Sequence, residues 1–286
     1  MSIASAGASA MLFLLSVAGC GGGTNATYVF SRLDFPQSES VVAAGINEAG
    51  HIVGWFIRGD TVRGYVYKDG IPTSVEYPGA ERTQLFGIGP EGDIVGAYRN
   101  AGEGPGDFHG FLLKTSGEFV PVDSRGQRNT IAQRLLPDGT ILGCQHGDDY
   151  TTSMRGISIR RGEITALDVP ATMINGATPD GRTMVGLVMD TRRGFVLERG
   201  TFTQFDAPGA VGTEAWDINA SGTIVGVAVS ADSTTHGFVL DRGRFTTVDF
   251  PGATSTVAFG INVQGDIVGG FVDAGGQRHG YVARRH

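Results

Sequence analysis

Asp249-Phe250-Pro251-Gly252-Ala253, Phe259-Gly260-Ile261-Asn262, Gly265-Asp266-Ile267-Val268-Gly269 and His279-Gly280-Tyr281-Val282 follow one another at the end of the chain. The third of these segments recurs upstream, as apolar pairs closed by Gly54, Gly96, Gly143, Gly186 and Gly226. A fixed period of about 43 residues marks tandem supersecondary units, and six of them follow from these glycines. Within each unit the turn chemistry fixes the strands. Asn47 to Gly50, Asn219 to Gly222 and Asn262 to Gly265 carry a turn-initiating Asn with Gly three residues on, and Pro90, Pro137 and Pro179 hold the second turn position in the other three units; both patterns suit a type I turn. Asp69-Gly70, Arg161-Gly162, Arg199-Gly200 and Arg242-Gly243 are two-residue hairpin connections between apolar runs. Pro78-Gly79, Pro208-Gly209 and Pro251-Gly252 place Pro and Gly at the centre of a type II turn after the fourth strand.

Four antiparallel strands per unit, repeated six times, predict an all-β, six-bladed β-propeller. The two ends of the repeat region agree with this. The last unit runs out after its third strand, Tyr281-Val282-Ala283, while Tyr28 to Leu33 reads as an unattached fourth strand. The N-terminal strand is therefore expected to complete the last blade, which closes the ring and hides two sheet edges. The glycine that ends each Ile-Val-Gly step is expected to make room for a neighbouring blade.

The domain plan has three parts. Residues 1–20 carry no charge and contain the apolar run Ala10 to Leu15, too short to span a bilayer but suited to the core of a secretory leader. Val17-Ala18-Gly19-Cys20 resembles the bacterial lipobox, which implies lipidation of Cys20 and export to the envelope; plain secretion is the alternative. Residues 21–26 form a Gly-rich tether, and 27–286 form the propeller. Membrane contact is expected only through that anchor. A net charge of −7, with no basic run interleaved with aromatics, argues against nucleic acid as a partner.

The residue ahead of the Gly-aromatic step of strand three is Arg63, His109, Arg155, Arg193, His236 or His279. A carboxylate ends strand four in each unit, and the tight turn between them sets Arg63 opposite Glu76, His109 opposite Asp123, Arg155 opposite Asp168, Arg193 opposite Asp206 and His236 opposite Asp249. His279 would meet Asp34 across the closure. A metal ring at these positions is excluded by residue type, because three of the six are Arg, which cannot ligate a cation.

The His-Gly-Phe, Gly-Ile-Asn and Gly-Asp-Ile-Val-Gly segments resemble the HAF family of bacterial extracellular repeats from about residue 28 onward. This chain has Gly110, Gly237 and Gly280 where the family's name-giving tripeptide has Ala. The resemblance implies an exported repeat protein and brings no catalytic residues with it.

Binding groups are expected on the face that gathers the loops after strands two and four. The candidates are Arg134, which interrupts an apolar first strand and either engages an anion or is salt-bridged in the core, and His146, Asp148, Asp149 and Tyr150 in the loop that departs most from the repeat, a cation or sugar site or else a solvated acidic loop. Trp55 and Trp216 could stack on sugar rings or serve as packing. No nucleophile elbow, zinc-protease helix, phosphate loop or dinucleotide fingerprint occurs, and no cofactor or metal is expected. Three readings follow: a non-enzymatic module that binds a glycan or an envelope protein, a carbohydrate-active enzyme, a lyase or glycoside hydrolase, with a site near Arg134, His146 and Tyr150, or a structural spacer or assembly subunit.

Overall fold

A computed structural model of the chain describes residues 13–15, 27–123, 126–148 and 153–286. Cys20 and the tether lie outside these residues. The described residues form strands and turns with no helix. A short segment, β1 (Phe13–Leu15), pairs with β2 (Tyr28–Leu33). Then follow β3 (Ser40–Ile46), β4 (Ile52–Arg58), β5 (Thr61–Lys68) and β6 (Ile71–Val75); β7 (Ala80–Ile88), β8 (Ile94–Asn100), β9 (His109–Leu113) and β10 (Phe119–Pro121); and β11 (Asn129–Leu135), β12 (Ile141–His146), β13 (Arg155–Arg160) and β14 (Glu163–Ala166). The second half comprises β15 (Thr172–Ala177), β16 (Thr183–Val188), β17 (Arg193–Glu198) and β18 (Thr201–Phe205); β19 (Gly212–Ile218), β20 (Ile224–Val229), β21 (Thr235–Asp241) and β22 (Arg244–Thr247); and β23 (Ser255–Ile261), β24 (Ile267–Val272) and β25 (Arg278–Arg285).

Strands β11 to β14, β15 to β18 and β19 to β22 are three separate four-stranded antiparallel sheets. The remaining 13 strands count as one sheet. Within it β3 to β6 and β7 to β10 repeat the same meander, and single parallel pairings, Val62 with Arg82 and Arg278 with Ser40, join the runs edge to edge. The third run is β23, β24 and β25, continued by β2 in the register Tyr28 with Arg285 through Leu33 with Gly280. The expected closure by the N-terminal strand is thus present.

The turns follow their sequence chemistry. Gly50 N–H donates to the Asn47 carbonyl at 3.0 Å, and Ala253 N–H to the Phe250 carbonyl at 3.0 Å across Pro251-Gly252. Arg242 and Gly243 sit at φ 49° and 78°, the two positive values that a type I′ hairpin needs.

Each first strand lies against the first strand of the next run, and β23 returns against β3. All six carry a β-bulge at the same place, so that Ala44, Phe86, Gln133, Asn175, Trp216 and Phe259 fall at the register shift. The residues after the bulge are Gly45, Gly87, Arg134, Gly176, Asp217 and Gly260. A Cβ on Gly45 would stand 2.6 Å from the Phe86 carbonyl oxygen, and one on Gly87 2.6 Å from that of Gln133. Glycine here lets adjacent backbones touch. The exceptions, Arg134 and Asp217, fill the axis. Arg134 Nη1 donates to the carbonyls of Phe86 and Gln133 at 2.9 Å, and Nη2 to Phe259 at 2.6 Å, Trp216 at 3.4 Å and Ala44 at 3.5 Å. Asp217 Oδ1 lies 3.3 Å from Arg134 Nε.

Asn side chains add a second tier of ties. Asn47 donates to the Gly89 carbonyl at 3.2 Å, Asn219 to Asn262 at 3.0 Å, and Asn262 across the closure to Asn47 at 3.5 Å. Between neighbouring runs the core is made of stacked aromatics, Phe35 on Phe56 at 4.0 Å, Tyr77 on Tyr98 at 3.6 Å and Phe250 on Phe271 at 3.7 Å. Such pairs contribute roughly 0.5–1.5 kcal/mol each beyond the area they bury.

The glycines of the Ile-Val-Gly steps have a different reason from the one expected. A Cβ on Gly226 would sit 2.0 Å from the Glu214 carbonyl oxygen, within its own sheet, and 2.7 Å from the Phe238 ring. The neighbouring run is instead admitted by the glycine of strand three: a Cβ on Gly64 would meet Leu85 at 2.7 Å. Gly226→Ala is therefore expected to cost roughly 3 kcal/mol through overpacking. Gly243→Ala, in open space but at positive φ, should cost about 1 kcal/mol. Urea unfolding of the two variants measures this, and equal losses would contradict the steric account.

Candidate functional site

The cross-strand pairs form in five of the six units. Arg63 Nε lies 3.0 Å from Glu76, His109 Nδ1 2.9 Å from Asp123, Arg193 Nη2 2.7 Å from Asp206, His236 Nδ1 2.7 Å from Asp249 and His279 Nδ1 3.0 Å from Asp34. The carboxylates of Asp123 and Asp249 also accept the N–H of Gly110 at 2.8 Å and Gly237 at 3.2 Å. Arg155 differs. It donates to the Met154 carbonyl at 2.8 Å, and among the described residues no ion pair joins it to Asp168. The hairpin register is kept there, with Leu167 N–H donating to the Gly156 carbonyl at 2.8 Å, but the chain bends at Asp168.

Sequence reasoning missed a second carboxylate in two of these pairs. Glu103 lies 3.0 Å from His109 Nε2, and Asp273 lies 3.0 Å from His279 Nε2, so each imidazole is held between two acids. Both acids come from the loop after strand two, whose length varies and hides the pattern. Burial lowers the His109 pKa, but hydrogen bonds and attraction from Glu103 and Asp123 outweigh it and hold the group above its ordinary value. Burial raises Glu103, and hydrogen bonds from Asn100 and His109 pull it below the usual carboxylate range.

The remaining candidates do not converge. Arg134 is committed to backbone carbonyls and to Asp217 in place of a ligand. His146 is buried at the far end of the β11–β12 hairpin, opposite Asn129, while Arg134 pairs with Leu142 near the turn. Its Nδ1 lies 2.8 Å from the Gly147 carbonyl. Asp148 is exposed and lies 3.3 Å from Arg128, which also binds Asp107. Asp149 and Tyr150 lie outside the described residues. Of the site expected near Arg134, His146 and Tyr150, the two described members occupy opposite ends of one hairpin.

A cavity of about 560 Å³ lies elsewhere, beside the axis at the loop-bearing ends of β19 and β23. Arg192, Glu214, Trp216, Ser230, Ser233 and Phe259 are among its lining residues. Trp216 and Phe259 occupy the bulges of neighbouring first strands and meet edge to face, with centroids 4.7 Å apart at 83°. The indole N–H donates to Glu214 Oε2 at 3.0 Å. Burial pushes the Glu214 carboxyl above the usual range, against the opposing pull of the indole hydrogen bond and of Arg192. Arg192 anchors the wall by accepting the Thr213 N–H at 2.8 Å through its carbonyl. It sits at φ 53° and Ser233 at φ 69°, conformations that cost a non-glycine residue about 1–2 kcal/mol each. A signal existed: at the position of Glu214 the other first strands carry Val42, Gln84, Ile131, Met173 and Val257.

His109 generates a pH prediction. Its folded pKa lies above the unfolded value of about 6.5, so its contribution is complete below that value and is lost as pH rises through the folded pKa. The stability difference between the wild type and His109→Phe, from urea unfolding between pH 5 and 8.5, should shrink as pH rises. A difference independent of pH would contradict the two-carboxylate clamp.

No protein-family model matches the chain, and no curated protein matches it. Solved structures do resemble it. TolB from Acinetobacter baumannii superposes with a TM-score of 0.55 at 13% identity, over 81% of this chain and 63% of that one, so this chain spans less than two thirds of it. A gluconolactonase from Xanthomonas campestris gives 0.56 at 13% identity over 91% of this chain and 90% of that one. A fucose-specific lectin from Aleuria aurantia gives 0.51 at 12% identity over 86% and 93%. At these identities the likeness concerns the fold alone, and that fold is an all-β propeller.

Proposed function

We propose that the chain is a closed six-bladed propeller that works as an exported, lipid-anchored recognition module, with the cavity between Trp216 and Phe259 as its ligand seat. The observation that carries this reading is the gathering around one cavity of an acid at a position of otherwise uncharged residues, the Arg192 guanidinium and two bulge aromatics that pack edge to face. The blade count rests on the three free sheets and the three meanders within the large one. Export and the anchor rest on residues 1–20 with Cys20, and the ligand is a glycan or an envelope protein.

A gluconolactonase and a fucose-specific lectin are both among the similar structures, so the fold does not choose between enzyme and binding module. The cavity supports the latter. Glu214 is the single carboxyl among its lining residues, whereas glycoside hydrolysis ordinarily needs two placed across the scissile bond.

The test is binding of the full chain and of Glu214→Ala to an array of bacterial and plant glycans and to envelope proteins, with any released products analysed. Binding without turnover, weakened at least tenfold in the variant, is the expected result. Turnover would overturn the non-enzymatic reading, and undiminished binding by the variant would overturn the seat.

A further inference from the structure

Resting on that cavity as the ligand seat, we propose that it takes an uncharged pyranose, stacked on the Trp216–Phe259 wall and hydrogen-bonded between Glu214, Arg192 and the Ser230 to Thr235 loop. Charge decides the class. Arg192 and Glu214 are the ionisable side chains among the lining residues, and they are of opposite sign and close enough to attract one another. Their sum is zero, so a uronic acid or an amino sugar gains no net attraction to set against the loss of its hydration. The same balance disfavours a quaternary ammonium. The aromatic wall would suit one, but the Arg192 guanidinium shares the space.

The wall suits a sugar ring. Trp216 spends its indole N–H on Glu214, so a ligand meets its apolar surface. Aromatic faces carry partial negative charge and attract weakly positive edges, which the axial C–H groups of a pyranose supply. Val227, Val229 and Val257 extend the apolar lining, and hydroxyls come from Ser230, Ser233 and Thr235. Hydroxyls both donate and accept, as the ligand's own hydroxyls do. A cavity of about 560 Å³ falls within the range of small-molecule sites. The loop is held in shape by Ser233 N–H donating to Ser230 at 2.9 Å and Ser230 N–H to Thr234 at 2.9 Å. The site is therefore built before any ligand arrives.

The chain has two tryptophans, so the indole N–H signals of Trp216 and Trp55 can be followed by NMR in one sample, with Trp55 as the internal reference. The full chain is titrated with methyl glucoside, galactoside, mannoside and fucoside and with N-acetylglucosamine. Glucuronate, glucosamine, choline and a mixed tripeptide set serve as contrasts. The expected result is a saturable shift of Trp216 with at least one neutral pyranoside, at least tenfold weaker for its charged counterpart. Arg192→Ala and Glu214→Gln should each weaken it at least tenfold, with the Trp55 signal unmoved as evidence of an intact fold. A Trp216 response only to charged sugars, choline or peptides overturns the ligand class and leaves the seat standing. A pyranoside that binds without moving Trp216, or silence of Trp216 towards every probe, overturns both.

Discussion

One guanidinium holds the centre of this molecule. Arg134 reaches from its own first strand to bulge carbonyls on four others while its Nε faces Asp217. Its planar fork of five donors can serve several acceptors in different directions, which a lysine ammonium on a flexible stem does not reproduce. Each bulge turns a carbonyl out of its ladder, and a buried carbonyl without a donor is costly. The bulges and the arginine therefore depend on each other: glycine after the bulge lets four of the first strands approach their neighbours closely, and Arg134 supplies donors to the bulge carbonyls of β3, β7, β11, β19 and β23. Asp217 offsets the buried charge and accepts the N–H groups of Ile218 at 3.0 Å and Ile261 at 3.1 Å.

The functional surface inherits its form from this axis. The bulge that sends the Trp216 and Phe259 carbonyls towards Arg134 sends their rings to the wall of the cavity at the loop-bearing end. On the other side of the plug, a smaller pit of about 170 Å³ among the first turns is lined by Arg134, Asp217 and mostly apolar neighbours. The closure matters in the same way. Asp34 directly follows β2, and its contact with the buried His279 pins the strand that completes the ring. A recognition site on such a frame needs little reorganisation on binding, since its aromatic anchors belong to strands fixed at the centre.

Much of the fold was legible because local turn chemistry and the global repeat agree. Asn-x-x-Gly, X-Gly and Pro-Gly each specify one turn, and the turns fix the strands between them. The N-terminal strand could be assigned because the last unit lacks a fourth. The cross-strand pairs could be counted because two-residue turns fix register; at the exception, Arg155 and Asp168, the register holds but the chain bends at the acid, which a count of residues does not show. Contacts between sheets were harder to read. The glycine of the second strand was assigned to the wrong neighbour because sequence shows that space is needed but not which atom claims it. For Arg134 both an anion site and a salt-bridged core residue were open, and the same column of the repeat, with four glycines, one Arg and one Asp, holds a balance of charge that points to pairing. Glu214 was missed because its signal lies in the alignment of the six first strands, where it is the one charged residue in its column, and not in its own strand. Its neighbours become visible when β19, β23 and the loop holding Arg192 are brought together.

The most direct test of the axial account is a double-mutant cycle of Arg134→Met and Asp217→Asn, read as unfolding free energy in urea. Breaking a buried ion pair from one side leaves an uncompensated charge, so each single change should cost about 3–5 kcal/mol. The double variant should lose clearly less than their sum, by at least about 1 kcal/mol. A loss below about 1 kcal/mol for Arg134→Met, with effects that simply add, would contradict the claim that this guanidinium ties the first strands together.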